Sequence, residues 1–160
     1  MNVLKVNELM TVRQHGAMEY TPPPCDLDEV RGYRLARVQE ELVRQDLAGI
    51  ILYDQLNTRY ATDATNMQIW CSHNEARYVY VPANSGAIVF EYGGKSLLSE
   101  GLPGVERVAK PITFFYMSAG QHVAERAKVW AVEMDAIIRE HSGGNKRIAI
   151  DRLAPVGVQV

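Results

Sequence analysis

Val123, Ala127, Trp130, Met134 and Ile137 recur at alternating steps of four and three, the spacing of one face of an α-helix. Ser142-Gly143-Gly144-Asn145 ends the pattern, because glycine past the last turn takes the left-handed conformation that closes a helix. The spacing predicts a long helix from Ala119, with Trp130 and Met134 as core residues rather than a cofactor box. Strands supply the surface such a stripe needs. Arg77-Tyr78-Val79-Tyr80-Val81 and Ala87 to Tyr92 flank a turn over Pro82–Gly86 and predict a hairpin. Ile50 to Tyr53 and Arg147-Ile148-Ala149-Ile150-Asp151 have the short apolar character of buried strands.

Upstream, Asp26 with Glu29 three residues later forms a capping box, and Leu35, Val38 and Leu42 line one face. A helix over about Leu27–Asp46 follows from this. Weaker patterns predict a helical turn around Leu97–Glu100 and extended pieces at Val105–Ala109 and Ile112–Tyr116. The order helix, strand, loop, hairpin, strands, long helix, strand implies an α/β fold, a mixed β-sheet with an antiparallel portion and helices on its faces. Residues 1–24 form an N-terminal arm ending in Thr21-Pro22-Pro23-Pro24, which cannot continue a helix. A domain over 25–155 follows, and 156–160 begin a connection, as in a domain cut from a longer polypeptide.

Seventeen basic and nineteen acidic residues are scattered, with a formal charge of −2, so no stripe tracks phosphates and nucleic acid is not an implied partner. No apolar run reaches the length of a membrane span. With only Cys25 and Cys71, and a start (MNVLKVNELM) unlike a secretory signal, the default compartment is the cytoplasm. Gly93-Gly94-Lys95 lacks the rest of a phosphate-binding loop.

The stretch NTRYATDATNMQIWCSHN, residues 57–74, has no clean period and suggests an irregular segment carried by the sheet. Cys71 and His73 are its close soft pair, and on a strand they would face the same way, but the ligand set for a metal is incomplete. A nucleophile made of Cys71, His73 or His122, and Asp63 lacks an evident means of lowering the thiol pKa. Arg59, Tyr60, Asn66, Trp70 and His73 remain as substrate-contacting candidates, against the alternative of a packed loop.

These residues carry a family resemblance. RLARVQEELVRQDLAGIILYD followed by NTRYATD resembles the N-terminal domain of the creatinase, prolidase and Xaa-Pro aminopeptidase (M24) group, whose first helix and strand run into an N-x-x-Y-x-T/S-G segment. Here that segment is Asn57, Arg59, Tyr60, Thr62 and Asp63, with Asp63 where those enzymes usually have glycine. RYATDATNMQIWCSHNEARYVYVP is most similar to the branch that includes the dimethylsulfoniopropionate lyases.

The resemblance implies a ribonuclease H-like domain with no catalytic residue or metal ligand of its own. Divalent metal ions and the catalytic base would lie on a C-terminal domain, in a homodimer acting on a small molecule or dipeptide. The N-terminal domain would supply dimer contacts and reach over the neighbouring subunit's site, with Trp70 as pocket wall and Arg59 and His73 behind it. A free-standing binding module and a small enzyme using Cys71 are the competing readings.

Overall fold

The computed structural model describes residues 24–160, so the arm of residues 1–24 lies, apart from Pro24, outside the described residues. Helix α1 (Leu27–Arg44) starts where Asp26 Oδ1 accepts from the backbone N–H of Asp28 and Glu29 at 2.9 and 3.2 Å. It leads to β1 (Gly49–Leu52), whose Gly49 is required because a Cβ there would lie 2.5 Å from the Tyr80 ring and 2.7 Å from Val81 O. The hairpin forms as β2 (Tyr78–Pro82) and β3 (Ala87–Phe90), followed by β4 (Val105–Ala109) and β5 (Ile148–Ile150). The sheet order is β4-β3-β2-β1-β5, and β2 alone runs antiparallel to the rest.

Each sheet face buries its own cluster. On one, Leu35 and Leu42 of α1 pack with Leu52, Val79, Val81, Ala87 and Val89. On the other, Ala127, Trp130 and Met134 pack with Ile51, Tyr78, Tyr80, Ile88 and Phe90. The two sets alternate along the strands, as side chains on a pleat must. This is the mixed α/β sheet with helices on its faces that the sequence predicts.

Three local expectations are corrected. Residues 57–74 are not an irregular loop: they form most of α2 (Gln55–Thr62) and all of α3 (Gln68–His73). Ile112–Tyr116 joins no ladder, because Pro111 removes a donor and the Ile112 N–H donates to the Tyr78 hydroxyl at 3.2 Å instead. Tyr116 opens the single turn α4 (Tyr116–Ala119), and Gly120, at φ 54°, separates it from the long helix α5 (Val123–His141), which therefore starts after Ala119. The chain closes with the one-turn α6 (Pro155–Val158). Among the described residues, no helix is long and apolar enough to cross a membrane.

Candidate functional site

The site is built outward from a buried ion pair. Tyr78 lies opposite Phe90 in the hairpin register, so one step further Arg77 meets Glu91. Both side chains are fully buried, and Arg77 Nε donates to Glu91 Oε2 at 2.8 Å. Ser99 Oγ donates to the same oxygen at 3.1 Å, Asn66 Nδ2 donates to Oε1 at 2.8 Å, and Arg77 Nη1 donates to Gln55 Oε1 at 3.1 Å. A buried charge pair persists only with its remaining lone pairs and donors so occupied. The network ties the starts of α2 and α3 to the sheet.

A second network fixes α2 at the carboxyl ends of β1 and β5. Their continuations leave on opposite sides of the sheet, α2 toward the α1 cluster and α6 toward the α5 cluster. A crevice at such a switch point commonly receives ligands. Here Asp151 fills it, accepting from Tyr53 N at 2.8 Å, Asp54 N at 3.1 Å and Asn57 Nδ2 at 3.0 Å. Asp54 in turn caps α2 through the N–H groups of Leu56 and Asn57.

The motif residues divide accordingly. Asn57 holds Asp151, while Thr62 donates to Thr58 O at 2.8 Å and accepts from Ala64 N at 3.2 Å. Asp63 takes the left-handed conformation (φ 57°) that its glycine counterpart would favour, and Arg31 holds its carboxylate at 2.8 Å. The turn is therefore made with aspartate. Arg31 Nη1 also donates to Asp28 Oδ1 at 2.8 Å, and the hydrogen bonds to Asp28 and Asp63 raise the Arg31 pKa further.

Helix α3 separates the remaining candidates. Met67, at φ 37°, turns the chain into it. Residues two apart on a helix point to nearly opposite sides, so Cys71 is buried, its Sγ donating to Asn66 O at 3.4 Å, while His73 is exposed. The strand-like pairing of Cys71 and His73 does not occur. Burial pushes the Cys71 thiol up, only partly opposed by a hydrogen bond with Tyr92 and by Arg77, the reverse of what a nucleophilic thiolate needs.

His73 Nδ1 donates to Ile69 O at 2.8 Å, and Nε2 has no hydrogen-bond partner among the described residues. The Trp70 ring leans on Tyr92 (centroids 5.2 Å apart) and edge-on against Phe115 (6.2 Å). Met67, Ile69, Trp70 and His73 line a shallow depression on the outer side. Met67 and Ile69 are 61% and 82% exposed there, so this face is apolar and bare. Arg152 Nη1 donates to Ser72 O at 2.7 Å, satisfying a carbonyl at the helix end.

The other candidates lie elsewhere. Asn66 is buried and committed to Glu91, Arg59 is exposed on α2, and Tyr60 turns toward α1 with the Arg34 guanidinium 5.8 Å above its ring. Sequence reasoning missed Arg77 and Glu91, although a hairpin register centred on the Pro82–Gly86 turn places them opposite each other. Among the described residues, no group of three or more His, Cys, Asp or Glu could hold a metal.

No family model matches the chain. It is 35% identical over 134 residues, 84% of its length, to the dimethylsulfoniopropionate lyase DddP of Roseovarius nubinhibens, and 34% identical over 134 residues to that of Roseobacter denitrificans. The chain spans about 30% of the length of these curated relatives. The solved structure of an Xaa-Pro aminopeptidase from Streptococcus pyogenes matches 82% of this chain and 97% of that one, at a TM-score of 0.43 and 10% identity.

Proposed function

Because the chain belongs to the family of creatinase- and prolidase-type (M24) N-terminal domains, we propose that it is the accessory domain of a metal-dependent enzyme of that kind. Residues 25–155 form the domain and 156–160 lead toward a C-terminal catalytic domain, which holds the divalent metal ions and the catalytic base. The domain contributes dimer contacts and lays the outer side of α3 over the neighbouring subunit's site. The observation that carries this reading is α3 itself, anchored inward by Cys71 and by Asn66 on Glu91, and presenting Trp70 and His73 outward on a bare apolar face.

The face suits a small cationic substrate. An indole attracts a sulfonium or ammonium group through its quadrupole, worth about 0.5–2 kcal/mol depending on desolvation. The relatives named as dimethylsulfoniopropionate lyases act, by that name, on such a sulfonium. His73 Nε2 adds one polar contact beside the ring, and Arg59 on α2 is available to a carboxylate approaching from that side.

A chimera tests this: residues 24–160 replace the matching segment of the Roseovarius lyase, with and without Trp70→Ala. The predicted result is an active chimera whose kcat/KM falls about 2- to 30-fold on the substitution, with the circular dichroism spectrum of the folded chimera retained. Equal kinetics in the two chimeras would overturn the role of Trp70, and a folded but inactive parent chimera would count against the accessory role.

A further inference from the structure

A groove of about 590 Å³ runs along β5 on the sheet face that α5 covers. Ile148 and Ile150 supply its floor, Met134 and Ile138 of α5 flank it, and Leu153 and Val158 come from the α6 side. Strand alternation keeps the floor apolar, since Ala149 turns to the opposite sheet face and lines a groove there. Val158 is 72% and Ile150 37% exposed, so the groove is open to solvent. The α6 side is closely built, because a Cβ on Gly157 would lie 2.9 Å from Leu153 Cγ. Small-molecule sites commonly enclose about 300–1,000 Å³ and pair an apolar lining with a few placed polar groups.

The charges around this groove are unequal. Arg139, Lys146 and Arg152 line it against Asp135 and Asp151, and both acids are engaged. Asp135 Oδ2 accepts from Arg139 Nε at 2.8 Å, and Asp151 accepts from Tyr53 N, Asp54 N and Asn57 Nδ2. Among the described residues, neither Lys146 nor Arg152 has a carboxylate within 4.0 Å. Arg152 is partly committed, since it donates to Ser72 O and its charge opposes the rise that burial imposes on the Glu75 carboxyl pKa. Lys146 is the uncommitted cation. It precedes β5 and Arg152 follows it, so the two mark opposite ends of the groove, at most about 20 Å apart.

The groove on the opposite face, also about 590 Å³, has no such excess. Arg37 and Arg44 are matched there by Glu40 and Glu41, and Arg44 pairs with Glu41.

We infer that the groove along β5 is a binding site for an amphipathic organic anion, a carboxylate on a straight alkyl chain, with its head at Lys146 and its chain over Ile148 and Ile150 toward Val158. Charge complementarity selects this occupant. The apolar floor accepts any alkyl chain, whereas the uncommitted cation at its end favours an anionic head over a cationic one. Binding removes Ile150 and Val158 from water, a gain that grows with the apolar area covered. The site is separate from the outer side of α3, and the inference does not rest on the proposed accessory role.

Decanoate and decyltrimethylammonium, which share an alkyl chain length and differ in the sign of the head, test this on the 160-residue chain by titration calorimetry and methyl NMR. The expected result is one decanoate per chain with a Kd of about 0.1–1 mM. Methyl signals of Met134, Ile138, Ile148 and Ile150 shift, while those of Leu42 and Leu47 in the opposite groove do not. Decyltrimethylammonium moves the same four signals only at about 10-fold higher concentration. Lys146 is exposed, so Lys146→Glu keeps the circular dichroism spectrum and weakens decanoate about 5- to 30-fold. No decanoate binding up to about 5 mM, equal affinity for the two heads at this groove, or a preference that survives Lys146→Glu would overturn the inference. Shifts confined to the opposite groove or to α3 would do the same. Two other occupants are also distinguished: Ile148 and Ile150 signals that move with protein concentration alone would seat a second copy there, and contacts from another segment of the chain that persist in decanoate would seat that segment, and either result contradicts the proposal.

Discussion

Glu91→Ala is the most informative single change in this domain. Glu91 receives Arg77 at 2.8 Å, Asn66 at 2.8 Å and Ser99 at 3.1 Å, and neither member of the ion pair is exposed. Removing the carboxylate leaves the Arg77 charge buried without its counterion, a loss of about 3–5 kcal/mol. That is a large part of the roughly 5–15 kcal/mol that holds a domain together. At a urea m-value of about 2 kcal/mol/M, the midpoint falls by about 2 M. Replacing both partners with apolar residues of similar size, Arg77→Met with Glu91→Leu, removes charge and counterion together and recovers at least half of the loss. Urea unfolding followed by circular dichroism measures both. A midpoint shift under about 0.5 M for Glu91→Ala, or a double variant no better than the single one, would refute the argument that buried charge balance anchors α2 and α3.

Three further outcomes follow from the geometry. Asp63→Gly relieves the left-handed backbone and forfeits the Arg31 pair, so its stability stays within about 1 kcal/mol of the parent, whereas Asp63→Ala loses the pair, keeps the strain and costs about 1–2 kcal/mol in the same urea titration. Cys25 is exposed, while Cys71 is buried with a raised pKa, so a thiol reagent at neutral pH modifies one cysteine quickly and the second only on unfolding; two fast thiols would contradict this. Burial pushes the Tyr80 phenol from 10.0 up to about 12. Because the folded pKa is the higher one, that stability is intact below pH 10 and is lost as pH rises from about 10 toward 12. Phenolate absorbance and loss of circular dichroism should therefore rise together over that window, and buried tyrosines ionising near pH 10 with the fold intact would contradict it.

The sequence made legible what a one-sided period encodes. Leu35, Val38 and Leu42 marked α1, the four-and-three stripe marked α5, and the Tyr-Val alternation marked β2, because each pattern answers a single buried face. Helices α2 and α3 were not legible, since eight and six residues are too few to display a helical period. Their positions depend on distant partners, Asp151 for the start of α2 and Glu91 for the start of α3. The Asp54 cap was the one local clue. Missing those helices also misjudged the Cys71 and His73 pair, which a strand would align and a helix drives apart. The site candidates were chosen by residue type, and side-chain direction then sorted them: Trp70 and His73 outward together, Asn66 inward, Tyr60 toward α1.

The central claim is that this chain shapes a site whose chemistry is carried elsewhere, and its bound-metal content tests that most directly. Elemental mass analysis of the purified 160-residue chain, dialysed without chelator, should find divalent metal well below one equivalent. One tightly held ion per chain would mean that His73 and partners not grouped among the described residues form a metal centre, and would contradict the account.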